Sequence, residues 1–126
     1  MNLPFKAIGF DWAYTLVDLG REDDRKPLKK VFLFLDQKNI SLPDFEEFLD
    51  MNRKIFRPMI EKSRITHQEA RFEVALQKLM SHFKIPLSDE ITLNELLEVY
   101  YLEVYLERKV YPDVVSVLSS LKKMGV

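Results

Sequence analysis

The chain has 126 residues, a length that suits one domain, and its 47% hydrophobic and 12% aromatic content favours a packed core over disorder. A net charge of −1 with both signs interspersed excludes the basic surface of a nucleic-acid binder, and the absence of cysteine excludes disulfide and thiol chemistry. The sequence contains no signal-peptide core and no apolar run that could span a bilayer. We therefore expect a soluble cytoplasmic protein with neither a nucleic-acid nor a membrane partner.

The first predicted element is a short apolar strand. Ala7, Ile8 and Phe10 suit a buried strand, and Asp11 follows directly. The carboxyl ends of strands are where open α/β sheets bind ligands. A carboxylate there is costly to desolvate unless a metal or hydrogen bonds satisfy it. Asp11 is therefore a candidate catalytic residue, with a turn or helix N-cap as the alternative interpretation.

Four amphipathic helices are predicted between residues 27 and 108, because apolar residues recur there at helical spacing. Ser41 is the predicted N-cap of the second helix, which Pro58 is expected to kink or split. A predicted capping box, Thr66 to Glu69, opens the third helix, and a second one, Thr92 to Glu95, lies within the fourth predicted segment, Asp89 to Arg108. These helices are sufficient for a small bundle.

A last helix is predicted after Tyr111. Pro112 suits a helix start, and an apolar face follows at Val114, Val117, Leu118 and Leu121. Gly125 is the predicted C-terminal stop.

The stretch from Asp11 to Leu16 resembles the first motif of the haloacid dehalogenase superfamily, in which a hydrophobic strand ends in Asp-x-Asp-x-Thr-Leu. Asp11, Thr15 and Leu16 match this pattern. Ala13 replaces the aspartate that is usually the general acid, and Tyr14 stands where glycine is usual. The run from Phe10 to Ala13 is also similar to the motif of phosphonoacetaldehyde hydrolases. The segment from Val110 onwards resembles the family's return to its core.

This resemblance implies an α/β fold with a Rossmannoid core and a four-helix cap inserted after the first strand. Residues 1–18 would form the first core strand and motif, residues 19–109 the helical cap, and residues 110–126 the return helix. The chain alone is expected to be mostly helical and truncated. Family members continue with a strand that ends in serine or threonine, then a lysine, then one or two acidic metal ligands.

The resemblance also implies hydrolysis of a small phosphorylated or otherwise activated metabolite through an aspartyl-enzyme intermediate. Asp11 and Thr15 would be catalytic, and Mg²⁺ would bind Asp11 and the backbone carbonyl of Ala13. Ala13 cannot protonate a leaving group, which removes an effect of roughly 10²–10⁴-fold in rate. Three kinds of reaction remain open: dehalogenation, phosphonate hydrolysis, and hydrolysis of a phosphate ester whose leaving group needs little protonation. We expect little or no catalysis from this chain alone.

Substrate contacts are harder to predict. Trp12 is a candidate beside the nucleophile, and Lys54 and Arg57 are candidates on the cap, although their charged neighbours also suit a solvated helix face. The anionic substrate would be a small molecule. A second hypothesis is a catalytically dead helical module that assembles with itself, or with a completing chain, through the exposed core strand. A third is a helical domain with an accidental motif match.

Overall fold

The computed structural model describes residues 4–18, 23–106 and 108–126. Within these ranges the chain is mostly helical, as expected. The elements in chain order are β1 (Val17–Asp18), α1 (Arg25–Gln37), α2 (Phe45–Thr66), α3 (Phe72–His82), α4 (Leu93–Leu106), β2 (Lys109–Val110) and α5 (Val114–Lys123). No helix in the described ranges has the length and apolar content needed to cross a membrane.

The chain divides into two compact units. The helical unit is Asp23–Glu103 and holds α1 to α3 and most of α4. The terminal unit combines the described residues of Met1–Glu22 and Val104–Val126, and holds β1, β2 and α5.

The helical unit is built around an apolar core to which all four of its helices contribute. Its buried side chains on α1 are Leu28, Val31 and Leu35, which recur at intervals of three and four residues and therefore share one helix face. The Phe48 ring lies 5.4 Å from the ring of Phe32 and 5.7 Å from that of Phe83, measured between centroids. The other core residues are Leu49, Phe72, Ala75, Leu76, Leu79, Met80, Ile85, Ile91 and Leu96.

The second helix starts later than predicted and has no break. Asp44, and not Ser41, is the N-cap residue of α2, and its side chain makes no capping hydrogen bond. The helix runs through Pro58 to Thr66 without interruption, so the predicted split is wrong. Pro58 is exposed, which places its missing N–H on the solvent side of the helix.

The predicted capping box at Thr66 is wrong, because this segment ends α2. The Thr66 hydroxyl donates to the Lys62 carbonyl at 3.0 Å, one turn back in the same helix. His67 has a left-handed φ of 57° and its N–H bonds the Ser63 carbonyl at 2.9 Å, as at many helix C-termini. The next helix begins only at Phe72.

The predicted capping box at Thr92 is confirmed. The Glu95 N–H donates to the Thr92 hydroxyl at 3.2 Å, and the Thr92 N–H donates to the Glu95 carboxylate at 2.9 Å. Two backbone donors at the start of α4 are thereby satisfied by side chains.

Thr92→Ala should destabilise the helical unit by about 1 kcal/mol, because the Glu95 N–H loses its acceptor. Urea unfolding followed by far-UV circular dichroism would measure this change. The matched control is Thr66→Ala, which removes an exposed hydroxyl from a helix end and should change stability by less than about 0.5 kcal/mol. Equal losses in the two variants would contradict the capping assignment.

Two ion pairs join the start of α1 to α2. The Arg53 guanidinium donates to both carboxylate oxygens of Asp24, at 2.7 and 3.0 Å, and Arg25 pairs with Glu46. The hydrogen bond from Arg53 holds the pKa of Asp24 below its usual value. Since all four side chains are partly exposed, these pairs add less to stability than the core does.

The terminal unit lacks the predicted strand at residues 7–10. Ile8 and Phe10 are 36% and 43% exposed, and no strand is assigned to residues 7–10. A strand is stable only when its backbone hydrogen-bonds to a neighbouring strand. In the described part of this unit the ladder pairs β1 with β2, antiparallel, with Val17 opposite Val110 and Asp18 opposite Lys109. The strand prediction is therefore wrong for this chain.

The last helix forms as predicted, but its apolar face is uncovered. It spans Val114–Lys123, and Gly125 follows with a positive φ of 81°, a conformation that glycine adopts without steric cost. None of the side chains of α5 is buried.

Candidate functional site

Asp11 and Thr15, the two predicted catalytic residues, are in direct contact. The Thr15 hydroxyl donates to Oδ2 of Asp11 at 3.0 Å, and both residues are exposed. Within the described ranges Oδ1 of Asp11 accepts no hydrogen bond. One carboxylate oxygen is thus held by the threonine, while the other remains accessible to a ligand.

A tight turn places Thr15 over Asp11. The Trp12 carbonyl accepts hydrogen bonds from the backbone N–H groups of Thr15, Leu16 and Val17, at 3.4, 3.0 and 3.1 Å. Tyr14 has a left-handed φ of 59°, and its N–H bonds the Val17 carbonyl at 2.8 Å. Glycine adopts this φ without steric cost, whereas a bulky residue such as tyrosine adopts it rarely.

A cavity of about 310 Å³ lies in the terminal unit. Its walls are formed by Trp12, Val17, Arg108 and Val110. Trp12 was predicted as a substrate contact, whereas Arg108 and Val110 were not predicted. They join Trp12 because β2 pairs with β1, and no local pattern in the sequence signals that pairing.

The two cap candidates show the features of an ordinary helix surface. Lys54 pairs with Asp50 at 2.9 Å one turn away on α2, and both side chains are exposed. The hydrogen bond to the Asp50 carboxylate raises the pKa of Lys54, as is usual for a paired lysine on a helix surface. Arg57 is exposed as well. Both residues belong to the helical unit, and Asp11, Trp12 and Thr15 belong to the terminal unit.

The donors expected for Mg²⁺ are the Asp11 carboxylate and the Ala13 carbonyl. Oxygen ligands suit this ion, but it requires near-octahedral coordination. Among the described residues, no three acidic, histidine or cysteine side chains are grouped so that they could hold a metal. The described residues therefore do not fit a complete Mg²⁺ site, and we assign no chemical step of this chain to a metal.

Apolar side chains are unusually exposed in the terminal unit. Val17 is a buried hydrophobic residue of this unit, whereas α5 exposes Val115, Val117 and Leu118, at 66%, 46% and 39%. The other large exposed apolar residues of the unit are Phe5, Ile8, Phe10, Trp12, Tyr14, Val110 and Met124. An apolar helix face that is left uncovered, like that of α5, is typical of a surface that another element covers.

The local geometry thus brings Asp11 and Thr15 together, and Trp12 lines a cavity to which neither of these two residues is assigned among the described residues. The remaining candidates, Lys54 and Arg57, contribute ordinary surface charge to α2. Comparison with protein-family models, with curated proteins and with solved structures found no match for this chain.

Proposed function

We propose that the chain supplies the nucleophilic segment and the helical cap of a haloacid dehalogenase-like hydrolase with an α/β core. The substrate would be a small phosphorylated or otherwise activated anionic metabolite. The observation that carries this proposal is the hydrogen bond from Thr15 to Asp11, made within a turn that leads directly into β1. Two residues matched to the motif are thereby paired in space.

The Thr15 hydroxyl orients the carboxylate for attack. It occupies Oδ2, so Oδ1 is the oxygen that can attack an electrophile. In a phosphatase reaction Oδ1 forms a bond to phosphorus while the bond to the leaving oxygen breaks, and the leaving group departs with the electron pair. Water then hydrolyses the aspartyl phosphate. Ala13 cannot protonate the leaving oxygen, so the substrate must carry a good leaving group.

The chain connectivity supports a cap that is inserted into a core. The chain passes from β1 into the helical unit and returns at β2, which pairs with β1. The helical unit has a complete apolar core of its own. An inserted domain requires a separate folded body whose chain leaves the core at one strand and returns at a neighbouring strand.

The proposal requires additional polypeptide. Further core strands would cover the exposed apolar side chains of the terminal unit, and further acidic residues would complete a Mg²⁺ shell begun by Asp11 and the Ala13 carbonyl. This polypeptide would belong to the same gene product or to a completing chain. We expect the 126 residues alone to turn over little or no substrate.

The dependence of the rate on the leaving group tests the proposal. The native gene product that contains this chain, supplied with Mg²⁺, should hydrolyse p-nitrophenyl phosphate roughly 10²–10⁴-fold faster than an alkyl phosphate. Ala13→Asp should narrow this ratio by supplying an acid, whereas the isosteric Ala13→Asn should not. Equal rates for the two esters, or no turnover of any phosphate ester, phosphonate or halo-acid, would contradict the proposal.

A second candidate is a non-enzymatic assembly module, favoured by the exposed apolar residues of the terminal unit. Such a module would associate with a second copy or with another chain through this surface. Sedimentation velocity over a range of concentrations, together with the turnover assay, distinguishes the assembly module from the hydrolase. Concentration-dependent assembly of the native gene product without turnover would support the module, whereas a monomer that turns over substrate would exclude it.

A further inference from the structure

We propose that copies of this chain associate through their helical units, with the basic end of α2 on one copy docking against the acidic face of α4 on the next. The basic end of α2 consists of Arg57, Lys62, Arg64 and Ile65. The acidic face of α4 consists of Glu95, Glu98 and Leu102. Both surfaces belong to the same compact unit, and the inference does not depend on the proposed function.

The helical unit separates its charges along the chain. Residues 85–106 contain five acidic residues and no lysine, arginine or histidine. The last ten residues of α2, 57–66, contain three basic residues and a single acidic one, Glu61. Elsewhere the two signs are interspersed, and the net charge of the whole chain is −1. Copies of the chain therefore do not repel one another strongly.

The basic end of α2 points its charges into solvent. Arg57, Lys62 and Arg64 are exposed, and none of these three side chains forms an ion pair with a described residue. The two cations one turn earlier on α2 are each paired with an aspartate. Helix C-termini favour cations in general, but that preference does not account for Ile65, whose side chain is 80% exposed beside them.

The acidic face of α4 is turned away from the core. Leu96 is fully buried and marks the inner side of the helix. Glu95, Glu98 and Leu102 are spaced by three and four residues and lie on the outer side, where Leu102 is 65% exposed. Over the part of the chain that the structure describes, Glu98 forms no ion pair. The outer side of α4 thus pairs negative charge with an exposed apolar side chain.

A second copy of the chain is the partner that this pattern favours. The two surfaces are opposite in charge, and each carries an exposed apolar residue, Ile65 on one and Leu102 on the other. Contact between copies would bury both apolar side chains and bring the cations to the carboxylates. Because the two surfaces differ, the contact is heterologous, and repeated contacts of this kind build head-to-tail chains or closed rings.

Sedimentation velocity of the native gene product that contains this chain tests the proposal. We expect the weight-average sedimentation coefficient to rise with protein concentration at low ionic strength. Salt at about 1 M should weaken the association, because the Debye length falls to about 3 Å. Arg64→Glu and Glu98→Lys should each raise the dissociation constant by at least about tenfold, since each brings like charges together at the contact.

Mixing the two variants provides the sharpest test. Arg64→Glu leaves the acidic face of α4 intact, and Glu98→Lys leaves the basic end of α2 intact. Each variant alone should therefore be monomeric where the unsubstituted protein associates, and the equimolar mixture should associate again. The matched control is Lys30→Glu, the same reversal of charge at an exposed position on α1, which should leave the dissociation constant within about twofold.

Far-UV circular dichroism verifies that each variant is folded. A monomer at every concentration would overturn the proposal, as would folded variants that fail to associate when they are mixed. Association that both charge reversals leave unchanged would also overturn it, and would assign the assembly to the exposed apolar residues of the terminal unit instead.

Discussion

Phe48→Ala should destabilise the helical unit by about 3–5 kcal/mol. The side chain is fully buried and its ring contacts those of Phe32 and Phe83, so truncation leaves a cavity where three aromatic rings meet. Small domains have total stabilities of roughly 5–15 kcal/mol, and the loss is a large part of that. Urea unfolding followed by far-UV circular dichroism measures it.

Ile65→Ala is the matched control on the same helix, because Ile65 is 80% exposed. This substitution should change stability by less than about 0.5 kcal/mol. The fluorescence of Trp12 follows the terminal unit separately. If Phe48→Ala unfolded at the same urea concentration as the unsubstituted chain, the assignment of Phe48 to the core would be wrong.

Asp11→Asn should reduce turnover by the native gene product by at least about 10³-fold, the scale seen when a nucleophile is removed. The amide matches the carboxylate in shape, and its oxygen can still accept the hydrogen bond from the Thr15 hydroxyl, so the turn should be preserved. It cannot form the aspartyl-enzyme intermediate. Steady-state hydrolysis of p-nitrophenyl phosphate is the measurement.

Asp113→Asn serves as the control, since Asp113 is an exposed aspartate whose side chain makes no capping hydrogen bond at α5. Its turnover should stay within about twofold of the unsubstituted protein, as for surface substitutions in general. Near-normal turnover in Asp11→Asn would remove Asp11 from the mechanism.

The helices were predictable because their apolar periodicity is satisfied inside the helical unit itself. Leu28, Val31 and Leu35 share one face and are all fully buried. The absence of a strand at residues 7–10 was not predictable in the same way. Apolar residues such as Ile8 and Phe10 favour a strand only when a neighbouring strand is available, and the described ladder is formed instead by Val17 and Asp18 with residues 109 and 110.

The sequence contains the Thr-x-x-Glu capping pattern at Thr66 and at Thr92, but only the pattern at Thr92 begins a helix, for a physical reason. Leu93 follows Thr92 directly and begins a helix, whereas four polar or small residues separate His67 from Phe72. Thr66 is also preceded by the long apolar stripe of α2, whose last turn it completes. The pattern itself does not distinguish a helix start from a helix end.

The candidate site was predictable where it is local. Asp11 and Thr15 are four residues apart, and one turn brings them into contact. Arg108 and Val110 reach Trp12 only through strand pairing between distant parts of the chain, so no local pattern could have identified them.

Chemical trapping of the covalent intermediate tests the central claim most directly. The native gene product would be mixed with p-nitrophenyl phosphate and Mg²⁺, quenched during turnover with borohydride, digested and sequenced by mass spectrometry. Borohydride reduces an aspartyl phosphate to homoserine, so we predict homoserine at position 11 in the unsubstituted protein and none in Asp11→Asn. Turnover that leaves Asp11 unmodified, or homoserine at another aspartate, would contradict the account.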